Sequence, residues 1–143
     1  MDQSPWIVLD ETVLTAATTA EHAQHQAALR IVTGSDGPWQ AAVPATAWLA
    51  VLSDASARTW LERGVPLTRS LDVGILASTA EVRDQTGLPD SAAVAVATAL
   101  RLNARFLVTV KPDRYPKVSG RYPSLTVITP AAWLGPQQVS WLS

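Results

Sequence analysis

Charged side chains follow two apolar segments that are typical of β-strands. Asp10 comes directly after Trp6–Leu9, and Lys111 follows Phe106–Val110. In an open α/β sheet, ligands bind at the carboxyl edge of the strands. Asp90 belongs to the same edge, because the helix that it opens runs antiparallel to the strand that follows it. We therefore expect Asp10, Asp90 and Lys111 to converge, and two carboxylates meeting there are typical of a divalent-metal or nucleotide site.

The two carboxylates have different ordinary roles. Asp90 lies in the first turn of a predicted helix, where an acid caps free N–H groups and faces the positive end of the helix dipole. Asp10 lies at the end of a buried strand, where a carboxylate loses its hydration and needs partners. Asp10 is therefore the stronger candidate for chemistry, and a structural role explains Asp90 taken alone.

An alternation of strands and helices must position these residues. Consecutive apolar and β-branched residues predict strands that are covered on both faces. The predicted strands are 6–9, 40–43, 65–68, 106–110 and 125–129. The predicted helices are 21–32, with Thr18 and Thr19 as its cap, then 45–52, 53–63, 71–86 and 90–103. This alternation predicts an α/β fold with right-handed crossovers.

The size and composition of the chain fit one domain over residues 1–143. It has 143 residues with 48% apolar and 16% charged side chains, enough for one buried core. The absence of cysteine excludes disulfides, thiolate zinc sites and cysteine nucleophiles.

The longest apolar run, Ala41–Leu52, is too short to span a membrane, and Met1–Pro5 does not resemble a secretory signal. We therefore expect a cytoplasmic protein without a membrane anchor.

The charge is distributed unevenly along the chain. Residues 1–100 hold 11 acids and 5 bases, whereas residues 101–143 hold 6 bases and one acid, so the net charge of −1 hides a basic segment. Such a segment can bind phosphates by releasing counterions, and it can equally be a solvated surface. The candidate nucleic-acid-binding residues are Arg105, Arg114, Lys117 and Arg121.

Four short motifs resemble, in the right order, the landmarks of PIN domains. Val8–Leu14 resembles their opening, in which an Asp closes the first strand and a Ser or Thr follows two positions later. Val43–Ala45 resembles the lead into their second helix, Leu88–Ala99 the helix that carries another site Asp, and Leu107–Thr109 the strand with a Thr. The resemblance implies a three-layer α/β/α sandwich with a mainly parallel central sheet, and it favours a homodimer. Active members of the family are metal-dependent endoribonucleases, many of them VapC-type toxins, whose acids hold Mg²⁺ or Mn²⁺.

The chain departs from the acidic pattern of that family. Asp10 and Asp90 match two of the acids, but the Glu of the second helix falls near Ala50, and the acid after Thr109 falls on Lys111. Hard divalent cations need several oxygen ligands, so we expect no cofactor, or at most weakly bound Mg²⁺ or Mn²⁺. We expect the Lys111 ammonium to take the place of the metal and to pair with both carboxylates.

Two nearby acids leave another possibility open. Asp54 follows Ala50 by one helical turn, and Asp113 follows Lys111 by two residues, so either acid could restore a weak metal site.

Three functions fit these residues. The first is a degenerate PIN-like domain that binds RNA or a protein such as an antitoxin. The second is a Mg²⁺-dependent endoribonuclease toxin that uses Asp10, Asp90 and Asp54, with Thr109 at the catalytic edge and Arg114 gripping the RNA backbone. The third is a scaffold that uses the fold only to dimerise.

Overall fold

A five-stranded, wholly parallel sheet forms the middle of the fold. The computed structural model describes residues 6–34 and 39–135. The strands are β1 (Trp6–Leu9), β2 (Gln40–Pro44), β3 (Leu67–Arg69), β4 (Phe106–Val108) and β5 (Thr126–Ile128). Their order across the sheet is β3-β2-β1-β4-β5. All five predicted strands are present, with ends that differ from the predicted ones by up to two residues, and the predicted α/β sandwich is confirmed.

Helices connect each strand to the next. They are α1 (Glu11–Ala17), α2 (His25–Thr33), α3 (Ala55–Arg63), α4 (Val73–Thr86), α5 (Asp90–Arg101) and α6 (Val118–Arg121). Short 3-10 helices lie at Ala45–Ala50 and Pro112–Arg114, and residues 130–135 are also helical. No helix in the described part of the chain is long and apolar enough to cross a lipid bilayer.

Alternating side chains of the strands build one apolar core on each face of the sheet. Ile7 and Leu9 face a core that includes residues of α1, α2 and α3. Val8, between them, faces a second core made with α4, α5 and α6. This alternation follows from the period of two along a strand, and it gives the three layers that the sequence predicts.

The segment after β1 differs from the prediction. Residues 11–17 form α1, which was not among the predicted helices, and α2 begins only at His25. Thr18 caps the C-terminus of α1, and its hydroxyl donates to the carbonyl oxygens of Leu14 and Thr15. Thr18 and Thr19 were therefore wrongly taken as the start of the next helix. Threonine hydroxyls can bond either to a following N–H or to a preceding carbonyl, so residue type alone does not decide between these roles.

Helices α4 and α5 form a hairpin that covers one face of the sheet. Residues 92–99 of α5 are all buried, because this helix lies between the sheet and α4. Gly87 ends α4 at φ +73°, a left-handed conformation that favours glycine. The short turn that follows brings the N-terminus of α5 back to the carboxyl edge of the sheet.

Candidate functional site

Asp10 is fully buried at the carboxyl edge of the sheet, between β1 and α1. Its Oδ1 accepts hydrogen bonds from the backbone N–H groups of Thr12 at 2.9 Å and Val13 at 3.4 Å, so Asp10 is the N-cap of α1. The Thr12 hydroxyl donates to the same oxygen. The backbone N–H of Asp10 also donates to the carbonyl oxygen of Val108 at 3.2 Å, which holds the residue against β4.

A chain of hydroxyl groups connects Asp10 to the end of β4. The hydroxyl oxygens of Thr12 and Thr109 lie 3.0 Å apart. Because the single Thr12 proton is donated to Asp10, the Thr109 hydroxyl is the donor to Thr12. The Thr12 oxygen also accepts from the backbone N–H of Val110 at 3.0 Å, and Thr109 is itself fully buried. These contacts fix the orientation of the Asp10 carboxylate.

Arg114 supplies the cation that faces this carboxylate. Its Nη1 lies 3.3 Å from Asp10 Oδ2, and its Nη2 lies 2.7 Å from Glu11 Oε2 and 2.6 Å from Ser91 Oγ. The Arg114 side chain is 18% exposed. The Tyr115 hydroxyl donates to Asp10 Oδ2 at 2.7 Å. We refer to Asp10, Glu11, Ser91, Arg114 and Tyr115 as the Arg114 cluster.

The protonation states in the Arg114 cluster follow from burial and charge. Burial raises the pKa of Glu11, but hydrogen bonds from Arg114 and the backbone, and the guanidinium charge, outweigh it and lower the pKa overall. Burial lowers the pKa of Arg114, but the hydrogen bond to Glu11 and the surrounding groups raise it overall. Burial and the neighbouring Asp10 carboxylate raise the pKa of the Tyr115 phenol. Arg114 therefore stays charged, and Tyr115 stays a hydrogen-bond donor.

Lys111 does not take the position that the sequence suggested. Its side chain is exposed and forms no ion pair with the described residues. After Lys111, the backbone turns at Pro112 into a 3-10 helix. This turn leaves Lys111 at the surface and returns the chain to the sheet edge at Arg114. The expected pairing of Lys111 with Asp10 and Asp90 is therefore wrong, and Arg114 replaces Lys111 as the partner of Asp10.

The other predicted acids contact groups other than Asp10 and its partners. The N-terminus of α5 reaches the expected edge, but Ser91 rather than Asp90 faces Arg114. The Asp90 side chain is 81% exposed and pairs with Arg83 at 3.2 Å. Asp54 is the N-cap of α3 and accepts from the N–H of Ala57 at 3.0 Å.

The remaining predicted positions add no ligand to Asp10. Ala50, at the end of its 3-10 helix, and Asp113, beside Arg114, are both exposed.

The donor set around Asp10 does not fit a divalent cation. Both carboxylate oxygens already accept hydrogen bonds, and the neighbouring carboxylate of Glu11 is paired with Arg114. Across residues 6–34 and 39–135, no three His, Cys, Asp or Glu side chains are grouped so that they could hold a metal ion. The cluster formed by Asp10, Glu11 and Arg114 carries a net charge of −1, which is too little for tight binding of Mg²⁺ or Mn²⁺.

The predicted basic residues do not form one surface. Arg114 is occupied by the two carboxylates, which corrects its predicted role in gripping RNA. Arg105 precedes β4 and Arg114 follows it, so the two side chains belong to opposite edges of the sheet. Lys117 and Arg121, at the two ends of α6, are both exposed. The basic segment is therefore divided in space.

Sequence reasoning did not identify Glu11, Ser91 and Tyr115 as partners in this site. Two signals in the sequence indicate that Arg114, the residue that joins them, returns to Asp10 and Glu11. Pro112 favours the first turn of a helix, so the two residues after it turn back instead of extending the strand. Arginine also has a planar fork that can hold two carboxylates at once, which suits Arg114 better than Lys111 to the adjacent acids Asp10 and Glu11.

Comparison with known proteins identifies the fold. The chain matches no protein-family model, and no curated protein sequence is significantly similar to it. A chain of a toxin-antitoxin complex from Klebsiella pneumoniae superposes with a TM-score of 0.60 at 17% identity, over 87% of this chain and 97% of that one.

Two further structures have the same architecture. VapBC2 from Rickettsia felis, bound to a DNA fragment from its promoter, gives a TM-score of 0.57 at 14% identity over 87% of this chain and 98% of that one. VapC20 from Mycobacterium tuberculosis, a sarcin-ricin loop cleaving toxin, gives a TM-score of 0.54 at 15% identity, over 76% of this chain and 92% of that one. The chain has a PIN-like fold. At such low identity the likeness is one of architecture alone.

Removal of the Tyr115 hydroxyl tests the hydrogen bonds of Asp10. We expect Tyr115→Phe to lower the free energy of unfolding by about 1.5–3 kcal/mol, because a buried carboxylate loses a donor and no water replaces it. Urea denaturation measures the change. Tyr122→Phe is the matched control, since its hydroxyl makes no hydrogen bond within the described residues. Equal effects of the two substitutions would contradict the assigned role of Tyr115.

The lowered pKa of Glu11 predicts an acid-sensitive contribution to stability. A group whose pKa falls on folding stabilises the protein above its unfolded pKa, and this stabilisation is lost as the pH falls through the folded pKa. Between about pH 5 and pH 3, we therefore expect the wild type to lose more stability than Glu11→Gln. Denaturation at several pH values measures this, with the exposed Glu81→Gln as control. Parallel pH curves for the wild type and Glu11→Gln would contradict it.

Proposed function

We propose that this protein is a PIN-fold binding protein without efficient metal-dependent RNA cleavage. The observation that carries the proposal is the pairing of Arg114 with Asp10 and Glu11 at the carboxyl edge of the sheet. Phosphodiester hydrolysis at an acidic site of this kind needs a metal that activates water and stabilises charge on the phosphate. The Arg114 guanidinium neutralises the carboxylate that such a metal would need.

We infer that the partner is a protein of the antitoxin type. One structure with this fold is a toxin-antitoxin complex, and another is VapBC2 bound to a DNA fragment from its promoter. RNA binding would need clustered, free cations, whereas Arg114 is paired and Arg105 lies at the opposite edge. Co-purification with the product of a neighbouring small reading frame tests this inference.

A ribonuclease assay tests the loss of cleavage. Total RNA and a synthetic stem-loop are incubated with the wild type in Mg²⁺ or Mn²⁺, next to Asp10→Ala and Asp90→Asn. We expect the three proteins to cleave equally little. Cleavage by the wild type that requires metal and disappears in Asp90→Asn would instead support an endoribonuclease. Because the Asp90 side chain is 81% exposed, we expect Asp90→Asn to stay folded, and circular dichroism verifies it.

RNA binding is measured separately by fluorescence anisotropy with labelled RNA at low and high salt. We expect no steeply salt-dependent complex. If a complex forms, comparing Lys117→Ala with Arg105→Ala shows whether α6 or the start of β4 holds the RNA. Loss of binding in either variant would assign RNA as the partner and would contradict our inference.

A further inference from the structure

Ser91 is exposed, and its hydroxyl group lies against a cation. It is the second residue of α5, and its Oγ lies 2.6 Å from Nη2 of Arg114. Among the serines that the structure describes, Ser91 is the one whose hydroxyl bonds to a charged side chain. An accessible hydroxyl is therefore already next to a guanidinium, which is the side-chain group best suited to bind a phosphate.

Arg114 joins the first turns of two helices through Ser91 and Glu11. The Nη2 atom that meets Ser91 also lies 2.7 Å from Oε2 of Glu11, the first residue of α1. The Ser91 hydroxyl contributes to the lowered pKa of Glu11, so the two side chains lie close to each other beside the guanidinium. These contacts hold the start of α1 against the start of α5.

A phosphate on Ser91 would change the balance of charge at this contact. It would replace a neutral hydroxyl by a group that carries a charge of about −1.5 to −2 and three acceptor oxygens. These oxygens can accept from both Nη groups of Arg114, because arginine and phosphate form short, bidentate pairs. Arg83 is already held by Asp90 at 3.2 Å, so Arg114 is the cation available to the phosphate. Glu11 would lose its partner and face a second anion.

We propose that Ser91 is a phosphorylation site, and that its phosphate takes Arg114 from Glu11 and so separates α1 from α5 at the carboxyl edge of the sheet. The phosphoryl donor is a nucleoside triphosphate, used by a serine/threonine protein kinase. The Ser91 Oγ forms a bond to the γ-phosphorus while the bond from that phosphorus to the β–γ bridging oxygen breaks. The nucleoside diphosphate leaves with the electron pair, and a base of the kinase takes the hydroxyl proton.

Labelling with radioactive ATP tests whether a kinase modifies Ser91. The folded full chain is incubated with the labelled ATP and an extract of the cells that make the protein. We expect the wild type to be labelled and Ser91→Ala to lose most of the label. Ser56→Ala is the matched control, because Ser56 is the exposed second residue of α3, and it should be labelled like the wild type. An unlabelled wild type, or equal labelling of Ser91→Ala, would overturn the assignment.

Phosphoserine incorporated at position 91 by an expanded genetic code tests the effect on the Arg114 cluster. In the unmodified protein, Glu11→Gln removes an ion pair with Arg114, so it should lower the urea concentration at the midpoint of unfolding at neutral pH. In the phosphorylated protein, the same substitution removes a carboxylate that the phosphate repels, so it should raise this midpoint. The sign of the Glu11→Gln effect should therefore reverse. Phosphoserine in place of Ser56 is the matched control and should leave the sign unchanged.

This inference deepens the proposed function, on which it rests, because it names what regulates the Arg114 cluster. The unfolding experiment contains neither metal nor RNA, so its outcome is separate from that of the ribonuclease assay. A Glu11→Gln effect of the same sign with and without the phosphate on Ser91 would overturn the proposal. If the phosphorylated chain does not fold, Glu11→Gln should restore its folding, which circular dichroism measures. Failure to restore it would equally reject the proposal.

Discussion

Arg114→Ala is expected to lower the free energy of unfolding by about 3–5 kcal/mol. The substitution removes the only cation that pairs with Asp10 among the described residues, and Asp10 is fully buried. Glu11 loses its partner at the same time. An unpaired buried carboxylate costs far more than an exposed ion pair contributes, so the effect should exceed that of an ordinary surface substitution.

Two matched variants separate this effect from the general loss of an arginine. Arg83→Ala breaks the exposed pair with Asp90 and should cost at most about 1 kcal/mol. Arg114→Lys keeps the charge but cannot present two Nη groups to Asp10 and Glu11, so its cost should be intermediate. Chemical denaturation measures all three variants. A cost for Arg114→Ala as small as that for Arg83→Ala would show that the cluster does not hold this edge together.

Asp10→Ala should also be strongly destabilising, by about 3 kcal/mol. It removes the N-cap of α1 and leaves the Tyr115 hydroxyl and one Arg114 nitrogen without their acceptor. Asp10→Asn separates these contributions. An amide oxygen can still cap α1, but the amide carries no charge and its NH₂ group cannot accept from Tyr115 or Arg114.

The double variant Asp10→Ala, Arg114→Ala measures how strongly the two residues are coupled. Because each single substitution leaves the other partner unsatisfied, the cost of the double variant should be smaller than the sum of the single costs by about 1–3 kcal/mol. Denaturation of the four proteins in the cycle gives this coupling. Additive costs would mean that Asp10 and Arg114 act independently, which would contradict the ion pair as the organising contact.

The sheet could be predicted from the sequence because each strand has a clear local signal. Runs such as Phe106–Val108 are apolar at consecutive positions, as buried parallel strands require. The glycines after α3 and α4 gave the helix ends correctly, since Gly64 and Gly87 both have positive φ. Helix α1 has seven residues and is held mainly by the cap from Asp10 and by burial, so its local signal is weak.

The carboxyl edge could be located from the sequence, but its contacts could not be assigned. That Asp10 lies beside Thr109 follows from the parallel pairing of β1 with β4. Which cation reaches Asp10 depends on the path of the loop after β4. A 3-10 helix of three residues places Arg114, and not Lys111, beside Asp10. Hydrophobic periodicity carries no information on such a turn.

Calorimetric titration of Mn²⁺ into the wild-type protein tests most directly whether Arg114, and not a divalent cation, neutralises Asp10. We predict no saturable binding in the micromolar range. Lys111→Asp should leave this result unchanged, because Lys111 forms no ion pair with the described residues and Arg114 still holds Asp10. Binding of one Mn²⁺ with micromolar affinity by the wild type, abolished by Asp10→Asn, would contradict the proposed role of Arg114.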